Sequence, residues 1–276
     1  MVDQITLTQT VQCHNDKVWT LAWHPSGKFL ATASSDKLIK IWAQNDTTAE
    51  FQLQSTLEGA HTRTIRSLSW KPHCQVGSLV LASSSFDATA CLWMQEGDND
   101  FEPYQTLEGH ENEVKCISWS PSGSYVATCS RDKSIWIFEE DDGEVCEYAC
   151  MGVLSGHSQD VKFVKWHPHR DQLFSASYDD TLKAWSYENS VDEWVCKYTI
   201  RGHESTVWSF DFDPTGNYLV SCSEDKTWIV WNVTETDYKK LCQVKDTHFR
   251  AIYTVSWSPQ VTMENKHRIA TAGSDN

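Results

Sequence analysis

Six histidines, His14, His61, His110, His157, His203 and His248, stand 47, 49, 47, 46 and 45 residues apart. Six aspartates keep step with them: Asp36, Asp87, Asp132, Asp179, Asp225 and Asp275. Imidazole and carboxylate together are the material of acid–base catalysis and of metal sites. Five more histidines lie outside the series, at 24, 73, 167, 169 and 267, and His167-Pro168-His169 could offer two metal ligands. The ten cysteines fall at 13, 74, 91, 116, 129, 146, 150, 196, 222 and 242, with no C-x-x-C pair and only Cys146 and Cys150 close together.

None of this assembles into a catalytic constellation. The sequence has no G-x-S-x-G, P-loop, H-E-x-x-H or G-x-G-x-x-G signature. An iron–sulfur cluster needs about four well-placed cysteines, and these are spread along the whole chain. The His167–His169 stretch reads better as a polar turn. We therefore expect no catalysis, no resident metal and no cofactor.

Six copies of one pattern mark a structural repeat. Val18, Ile65, Val114, Val161, Val207 and Ile252 come four residues after each histidine. Trp23, Trp70, Trp119, Trp166, Phe212 and Trp257 come nine after it, with a proline two residues further on. Six residues past the first five aspartates stand Trp42, Trp93, Phe138, Trp185 and Trp231. In the first unit, Val18–Trp23, Phe29–Ser34 and Leu38–Trp42 read as short strands, with a turn at Pro25-Ser26-Gly27. The acidic stretches Glu96–Glu102 and Glu139–Glu147 read as solvated loops between third and fourth strands. Cys91, Cys116, Cys129 and Cys222 fall in strand-like runs, where a free thiol acts as a small apolar side chain.

Composition narrows the function classes. Charged residues make up 22% and hydrophobic ones 40%, which suits a globular protein. A formal net charge of −15 opposes direct binding to nucleic acid or anionic lipid unless a local basic patch offsets it. No apolar run approaches the roughly 18 residues of a membrane span. The N-terminus has no basic stretch followed by an apolar run, so reduced thiols in the cytosol or nucleus are expected.

A period in the forties with His, Asp and Trp at fixed offsets resembles the WD-repeat family. The resemblance implies an all-β propeller of four-stranded antiparallel blades packed around a channel. It also implies one hydrogen-bonded tetrad per blade, formed by the histidine, the turn aspartate, a Ser or Thr four residues before it, and the tryptophan. The hydroxyl positions hold Thr32, Ser83, Thr128, Ser175, Ser221 and Thr271. A buried histidine needs both ring nitrogens satisfied, so these residues are expected to be structural. Phe138 cannot donate an indole N–H, and the third network should stop short there.

In such a fold three sets of residues should emerge at one mouth of the channel. Five after each histidine stand Trp19, Arg66, Lys115, Lys162, Trp208 and Tyr253. Just before each aspartate stand Ser35, Phe86, Arg131, Tyr178, Glu224 and Ser274, and three after each histidine Lys17, Thr64, Glu113, Asp160, Thr206 and Ala251. Arg66, Lys115, Arg131 and Lys162 form a basic cluster on the second to fourth blades, surrounded by Trp19, Phe86, Tyr178, Trp208 and Tyr253. Exposed aromatic rings and arginine are common at binding hot spots, so this mouth is the candidate partner-binding site, with a preference for acidic and aromatic groups.

Particular stretches are similar to one subfamily. They are Thr106–Lys115 (TLEGHENEVK), Thr128–Ser134 (TCSRDKS), Ser85–Thr89 (SFDAT), Ser177–Thr181 (SYDDT) and Gly202–Trp208 (GHESTVW). They resemble the WD-repeat protein of the cytosolic iron–sulfur assembly machinery (the Cia/Ciao family). The resemblance implies a seven-bladed, non-catalytic scaffold joining a MIP18-type adaptor and a HEAT-repeat protein to apo iron–sulfur clients. It also implies partner contact through Arg131. Where some members carry Leu-Tyr-Arg, a co-chaperone docking motif, this chain has Ala184-Trp185-Ser186. The competing expectation is another WD-repeat adaptor, a ubiquitin-ligase substrate receptor or a chromatin-associated scaffold. The Trp-Asp-x-Arg that such ligase receptors commonly carry is absent here.

The domain expectation is a single propeller over residues 1–276, with repeats starting near 14, 61, 110, 157, 203 and 248. Residues 5–12 alternate as an outer strand of the closing blade would. The family pattern continues beyond Asn276, so about five full blades and a partial sixth are expected.

Overall fold

The computed structural model describes residues 6–73, 79–97, 100–141, 147–234, 237–260 and 267–275. Five four-stranded antiparallel sheets follow one another along the chain. The first contains β1 (Val18–Trp23), β2 (Phe29–Ser34), β3 (Ile39–Gln44) and β4 (Phe51–Leu57). The second contains β5 (Ile65–Trp70), β6 (Val80–Ser85), β7 (Ala90–Glu96) and β8 (Asp100–Leu107). The third contains β9 (Val114–Trp119), β10 (Tyr125–Ser130), β11 (Ile135–Glu140) and β12 (Tyr148–Leu154). The fourth contains β13 (Val161–Trp166), β14 (Gln172–Ser177), β15 (Thr181–Glu188) and β16 (Glu193–Arg201). The fifth contains β17 (Val207–Phe212), β18 (Tyr218–Ser223), β19 (Trp228–Val233) and β20 (Tyr238–Val244). A two-stranded sheet, β21 (Ile252–Trp257) and β22 (Ile269–Gly273), follows. Among the described residues there is no helix, and so none that could cross a membrane.

The first strands of successive sheets lie side by side, from β1 through β5, β9, β13 and β17 to β21. The second strand of each four-stranded sheet is short in side-chain volume and mostly buried on both faces, as in VLASSS of β6 and QLFSAS of β14. Small residues there let neighbouring sheets approach, and larger side chains such as Leu81, Trp93, Phe174 and Trp185 fill the space between sheets. The indole N–H groups nine residues after the histidines cross from sheet to sheet. Trp70, Trp119 and Trp166 donate to the carbonyls of Ala22, Ser69 and Ser118 on the preceding first strand, at 3.0, 3.1 and 3.0 Å. Phe212 has no such donor. At that junction Lys165 pairs with buried Asp211, whose other oxygen accepts from the Trp257 backbone N–H at 2.7 Å.

In all six repeats the histidine Nε2 lies 2.7 to 3.0 Å from the Ser or Thr hydroxyl. Nδ1 lies 2.7 to 3.1 Å from the aspartate. Trp42, Trp93, Trp185 and Trp231 donate to the same hydroxyls at 2.8 to 3.1 Å. These partners select one neutral tautomer, with Nδ1–H donating to the carboxylate and Nε2 accepting from the hydroxyl. In the third sheet Thr128 has no indole donor, but the gap is filled. Trp136, two residues earlier on the same face of β11, donates to Ser134 Oγ at 3.1 Å. Its ring packs so tightly on Gly109 that a Cβ there would sit 2.2 Å from Cη2.

Several details differ from the sequence expectations. The third strand of the first unit runs Ile39–Gln44 rather than Leu38–Trp42. Both acidic stretches are partly strand: Asp100–Glu102 open β8 and Glu139–Glu140 close β11. Phe101 is buried there, and Lys71 pairs with Glu140 at 2.7 Å, so ladder pairing and burial outweigh local charge. Residues 6–12 form no ladder, since none of the described strands pairs with them; the Gln9 side chain instead bonds both backbone groups of Phe51. Ile5, Cys74 and Cys146 lie outside the described residues.

The aspartates draw stability toward neutral pH. Burial pushes Asp87, Asp132, Asp179 and Asp225 upward, but the hydrogen bonds from their partner histidines, the turn hydroxyls and the backbone outweigh it, leaving them well below the usual carboxylate range. Burial also lowers His157, and lowers His167 to about 4. Both kinds of shift favour the folded state above the unfolded pKa values, about 6.5 for His and about 3.9 for Asp. We therefore expect the urea midpoint to be flat above about pH 7. It should fall first as pH drops through 6.5 toward 4, from the histidines, and again below about 4, from the aspartates. A midpoint that rises on acidification would contradict this assignment.

Candidate functional site

The mouth is built by a bulge repeated in every sheet. Where the first and second strands pair, the register skips one residue: Val18 faces Ser34 and Thr20 faces Ala33, leaving Trp19 unpaired. The same skip leaves Arg66, Lys115, Lys162, Trp208 and Tyr253 unpaired in the other five. A bulged residue is re-aimed away from the ladder. Beside it, the residue before each aspartate donates its N–H to the carbonyl three after the histidine. These bonds run from Ser35 to Lys17, Phe86 to Thr64, Arg131 to Glu113, Tyr178 to Asp160, Glu224 to Thr206 and Ser274 to Ala251. All three sets of mouth residues are thus brought together.

The turn is held by the aspartates. Each accepts the N–H of the residue after the histidine at 2.7 to 3.1 Å. The first five also accept the N–H two residues further along their own turn. The intervening residue is left-handed although none is glycine: Lys37, Ala88, Lys133, Asp180 and Lys226 have φ between 66° and 73°. That conformation is costly for a residue with a Cβ, so the aspartate bonds must hold it.

Cations and rings alternate across the mouth. The Arg66 guanidinium lies 5.0 Å from the Trp19 ring centre, and Lys115 Nζ 4.2 Å from that of Phe86. Lys162 Nζ sits 5.0 Å from Tyr178 and 5.2 Å from Trp208, whose ring meets Tyr253 edge-on at 5.1 Å. The indole N–H groups are tied down: Trp19 donates to Ser35 Oγ at 2.7 Å and Trp208 to Glu224 at 2.8 Å. Trp19, Tyr178 and Tyr253 remain exposed.

Charge at the mouth is only partly compensated. Lys162 pairs with Asp160 at 3.2 Å, and Arg131 with Glu113 at 3.5 Å. Among the described residues no carboxylate lies within 4.0 Å of Arg66 or Lys115. Burial pulls the Arg66 guanidinium below its ordinary value. Burial also lowers Lys115, whose neighbours Lys162 and Arg66 add to the effect and Glu113 and Asp160 oppose it. Half-buried cations beside other cations favour an incoming anion.

Arg63 belongs to the site and was missed in the sequence because it stands two residues after its histidine, outside the offsets considered. It donates to the Phe86 carbonyl at 2.6 Å, pairs with Glu113 at 3.5 Å and lies 6.0 Å from the Phe86 ring. An open cavity of about 320 Å³ lies here, with Arg63, Phe86 and Glu113 in its wall.

The other chemistry-bearing residues are engaged elsewhere. His167 and His169 direct Nε2 at the carbonyls of Gly216 and Pro214, at 3.0 and 2.8 Å, joining the fourth sheet to the fifth. Among the described residues no group of three or more His, Cys, Asp or Glu could hold a metal ion. Cys91, Cys116, Cys129 and Cys222 are buried and free, and burial raises their pKa values, that of Cys91 to about 12.

Residues 5–43, 51–94, 101–139, 148–186 and 194–232 each match the family model for the WD domain, G-beta repeat. The chain belongs to the WD-repeat family. Its five matched repeats are offset from the sheets by one strand, residues 51–94 for example taking in β4 of the first sheet with β5–β7 of the second, and the fold is an all-β WD-repeat propeller architecture. Among curated proteins it is 43% identical over 136 residues to a "Probable cytosolic Fe-S cluster assembly factor" of Schizosaccharomyces japonicus, covering 49% of this chain and 21% of that protein. It is 39% identical over 161 residues to a "Probable cytosolic iron-sulfur protein assembly protein 1" of Aspergillus flavus, covering 47% and 36%. A protein of the same name from Candida glabrata is 42% identical over 145 residues, covering 50% and 42%. The aligned part thus spans about a fifth to two fifths of these relatives' length.

The stacked cations are expected to contribute to stability of this WD-repeat chain as well as to recognition. In a double-mutant cycle of Lys115→Met and Phe86→Leu, the two losses should be coupled by about 0.5–1 kcal/mol in urea unfolding. Additive losses would mean that the ammonium and the ring do not interact.

Proposed function

We propose that this chain is a non-catalytic interaction scaffold of cytosolic iron–sulfur protein assembly. It helps deliver clusters to apo-proteins as part of a targeting complex, in the cytosol, with the cluster as cargo and not as a resident cofactor. Two things support the reading. The relatives' names refer to cytosolic iron–sulfur assembly, and the mouth offers what an adaptor needs. The observation that carries it is the set of ring-stacked cations at the mouth, of which Arg66 and Lys115 lack a carboxylate partner among the described residues.

The mouth would receive an acidic, aromatic-bearing segment of a partner. Rigid rings flank each cation, so an arriving carboxylate meets pre-positioned charge and little side-chain entropy is lost. Arg131, on the third blade, has a side chain that is 57% exposed. The partners in this reading are a MIP18-type adaptor, a HEAT-repeat protein and apo iron–sulfur clients, and Arg131, Arg66, Lys115 and Lys162 carry the contact with Trp19, Phe86, Tyr178, Trp208 and Tyr253.

The test is a pull-down from cytosol with the parent chain and with Arg131→Glu, after checking that both melt at the same temperature. Iron–sulfur targeting factors should come down with the parent and be at least tenfold depleted with the variant, as expected when a buried-edge charge contact is reversed. A cullin adaptor recovered in place of those factors would sink the reading. Elemental analysis of the purified chain should show no stoichiometric iron or zinc, and either metal at one per chain would overturn the non-metal scaffold.

A further inference from the structure

Among the described residues, Glu113 is the one acidic side chain at the mouth that two arginines share. Its Oε1 lies 3.5 Å from Arg63 Nη2 and its Oε2 lies 3.5 Å from Arg131 Nη1. The Glu113 side chain is 15% exposed, whereas those of Arg63 and Arg131 are 56% and 57% exposed. Both separations exceed the 2.7–2.9 Å of a well-made charge-assisted hydrogen bond, so the arginines are attracted to Glu113 without being locked onto it.

The charge of Lys115 also acts on this carboxylate, from beyond 4.0 Å. Burial acts to raise its pKa, but its backbone hydrogen bond and the charges of Lys115, Arg131 and Arg63 outweigh this and keep it ionised. Three cations from two blades therefore converge on one internal anion. The Arg63 end is fixed by its bond to the Phe86 carbonyl, and the backbone of Glu113 is fixed by the Arg131 N–H at 3.1 Å. Both arginine side chains are more than half exposed, and Arg63 and Glu113 line the same open cavity.

The geometry points to Glu113 as an internal competitor: it occupies Arg63 and Arg131 until a carboxylate-bearing segment of a protein partner draws them away. This rests on reading the mouth as the partner's docking surface. Glu113 then sets specificity. A single weak anion cannot displace an intramolecular carboxylate that is always present, whereas a segment presenting several acids at once can engage Lys115 and Arg66 and take the arginines as well. Glu113 would also limit the free mouth's attraction for unrelated anions.

The probe is a fluorescein-labelled, glutamate-rich synthetic peptide carrying a single tryptophan, titrated by anisotropy at low salt. Five full-length chains are compared: parent, Glu113→Gln, Glu111→Gln, Arg131→Glu and the double variant Glu113→Gln with Arg131→Glu. Glu111 makes the same charge change two positions from Glu113 and lines the same cavity, but among the described residues no arginine or lysine lies within 4.0 Å of it. Glu113→Gln should bind about three- to tenfold more tightly than the parent, the size expected for releasing two partly exposed ion pairs. The gain should shrink at high salt. Glu111→Gln should move affinity less than twofold, and Arg131→Glu should abolish the gain when combined with Glu113→Gln.

Weaker binding by Glu113→Gln, while the parent binds and Arg131→Glu does not, overturns the competitor and leaves the docking surface standing. Glu113 would then be a scaffold that orients the arginines. Equal tightening by Glu111→Gln also overturns it, by showing a net-charge effect. Absence of binding by the parent and by Glu113→Gln alike overturns both the competitor and the docking surface.

Discussion

Each repeat depends on one carboxylate. The turn aspartate takes the histidine Nδ1–H, the N–H that follows the histidine, and a turn N–H, and so ties the start of the first strand to the turn between the second and third. In the second to fifth blades a hydroxyl adds a further bond, from Thr89, Ser134, Thr181 and Thr227. Those hydroxyls sit beside left-handed residues that would not hold their conformation alone. Replacing the aspartate in any blade would release the histidine, the turn and the bulge together, because all three share its oxygens.

The mouth is a consequence of that arrangement. The bulge follows the tethered histidine by five residues, and the residue before the aspartate pairs across it, so a side chain from each strand arrives at the same rim in every blade. The frame repeats while the side chains differ. The same backbone position presents Trp19 in one blade, Arg66 and Lys115 in the next two, and Trp208 in the fifth. Neighbouring blades therefore set a cation against a ring, and desolvation is tolerable because the ring face offers the cation partial compensation. An acidic protein can in this way carry a locally basic surface without long-range steering from its net charge.

Variation between blades is absorbed by substitution of like with like. Phe138 removes an indole donor, and Trp136 restores a ring over Gly109 from the same strand face. Phe212 removes an interblade donor, and Asp211 restores the junction with its carboxylate, held by Lys165, Ser256 and the Trp257 backbone. Neither compensation follows from repeat offsets: the position of Trp136 holds Lys40, Cys91, Lys183 or Ile229 in the other complete blades, and that of Asp211 holds Ala22, Ser69, Ser118, Lys165 or Ser256 in the other repeats.

The pairing of each histidine with its aspartate and hydroxyl was implied by the resemblance to the WD-repeat family, whereas the sequence by itself determined the repeat and the strand content. These follow from fixed offsets along one chain segment, and local spacing is directly visible in a sequence. It also showed which positions reach the mouth, because those positions are defined relative to the same histidine. Only the tertiary structure decided what the mouth residues do to one another. The Arg66–Trp19, Lys115–Phe86 and Lys162–Trp208 stacks, and the shared hold of Arg63 and Arg131 on Glu113, join residues from different blades or across a bulge. Their distances are set by how blades pack and where the register skips, and neither quantity is written in the spacing of any single repeat.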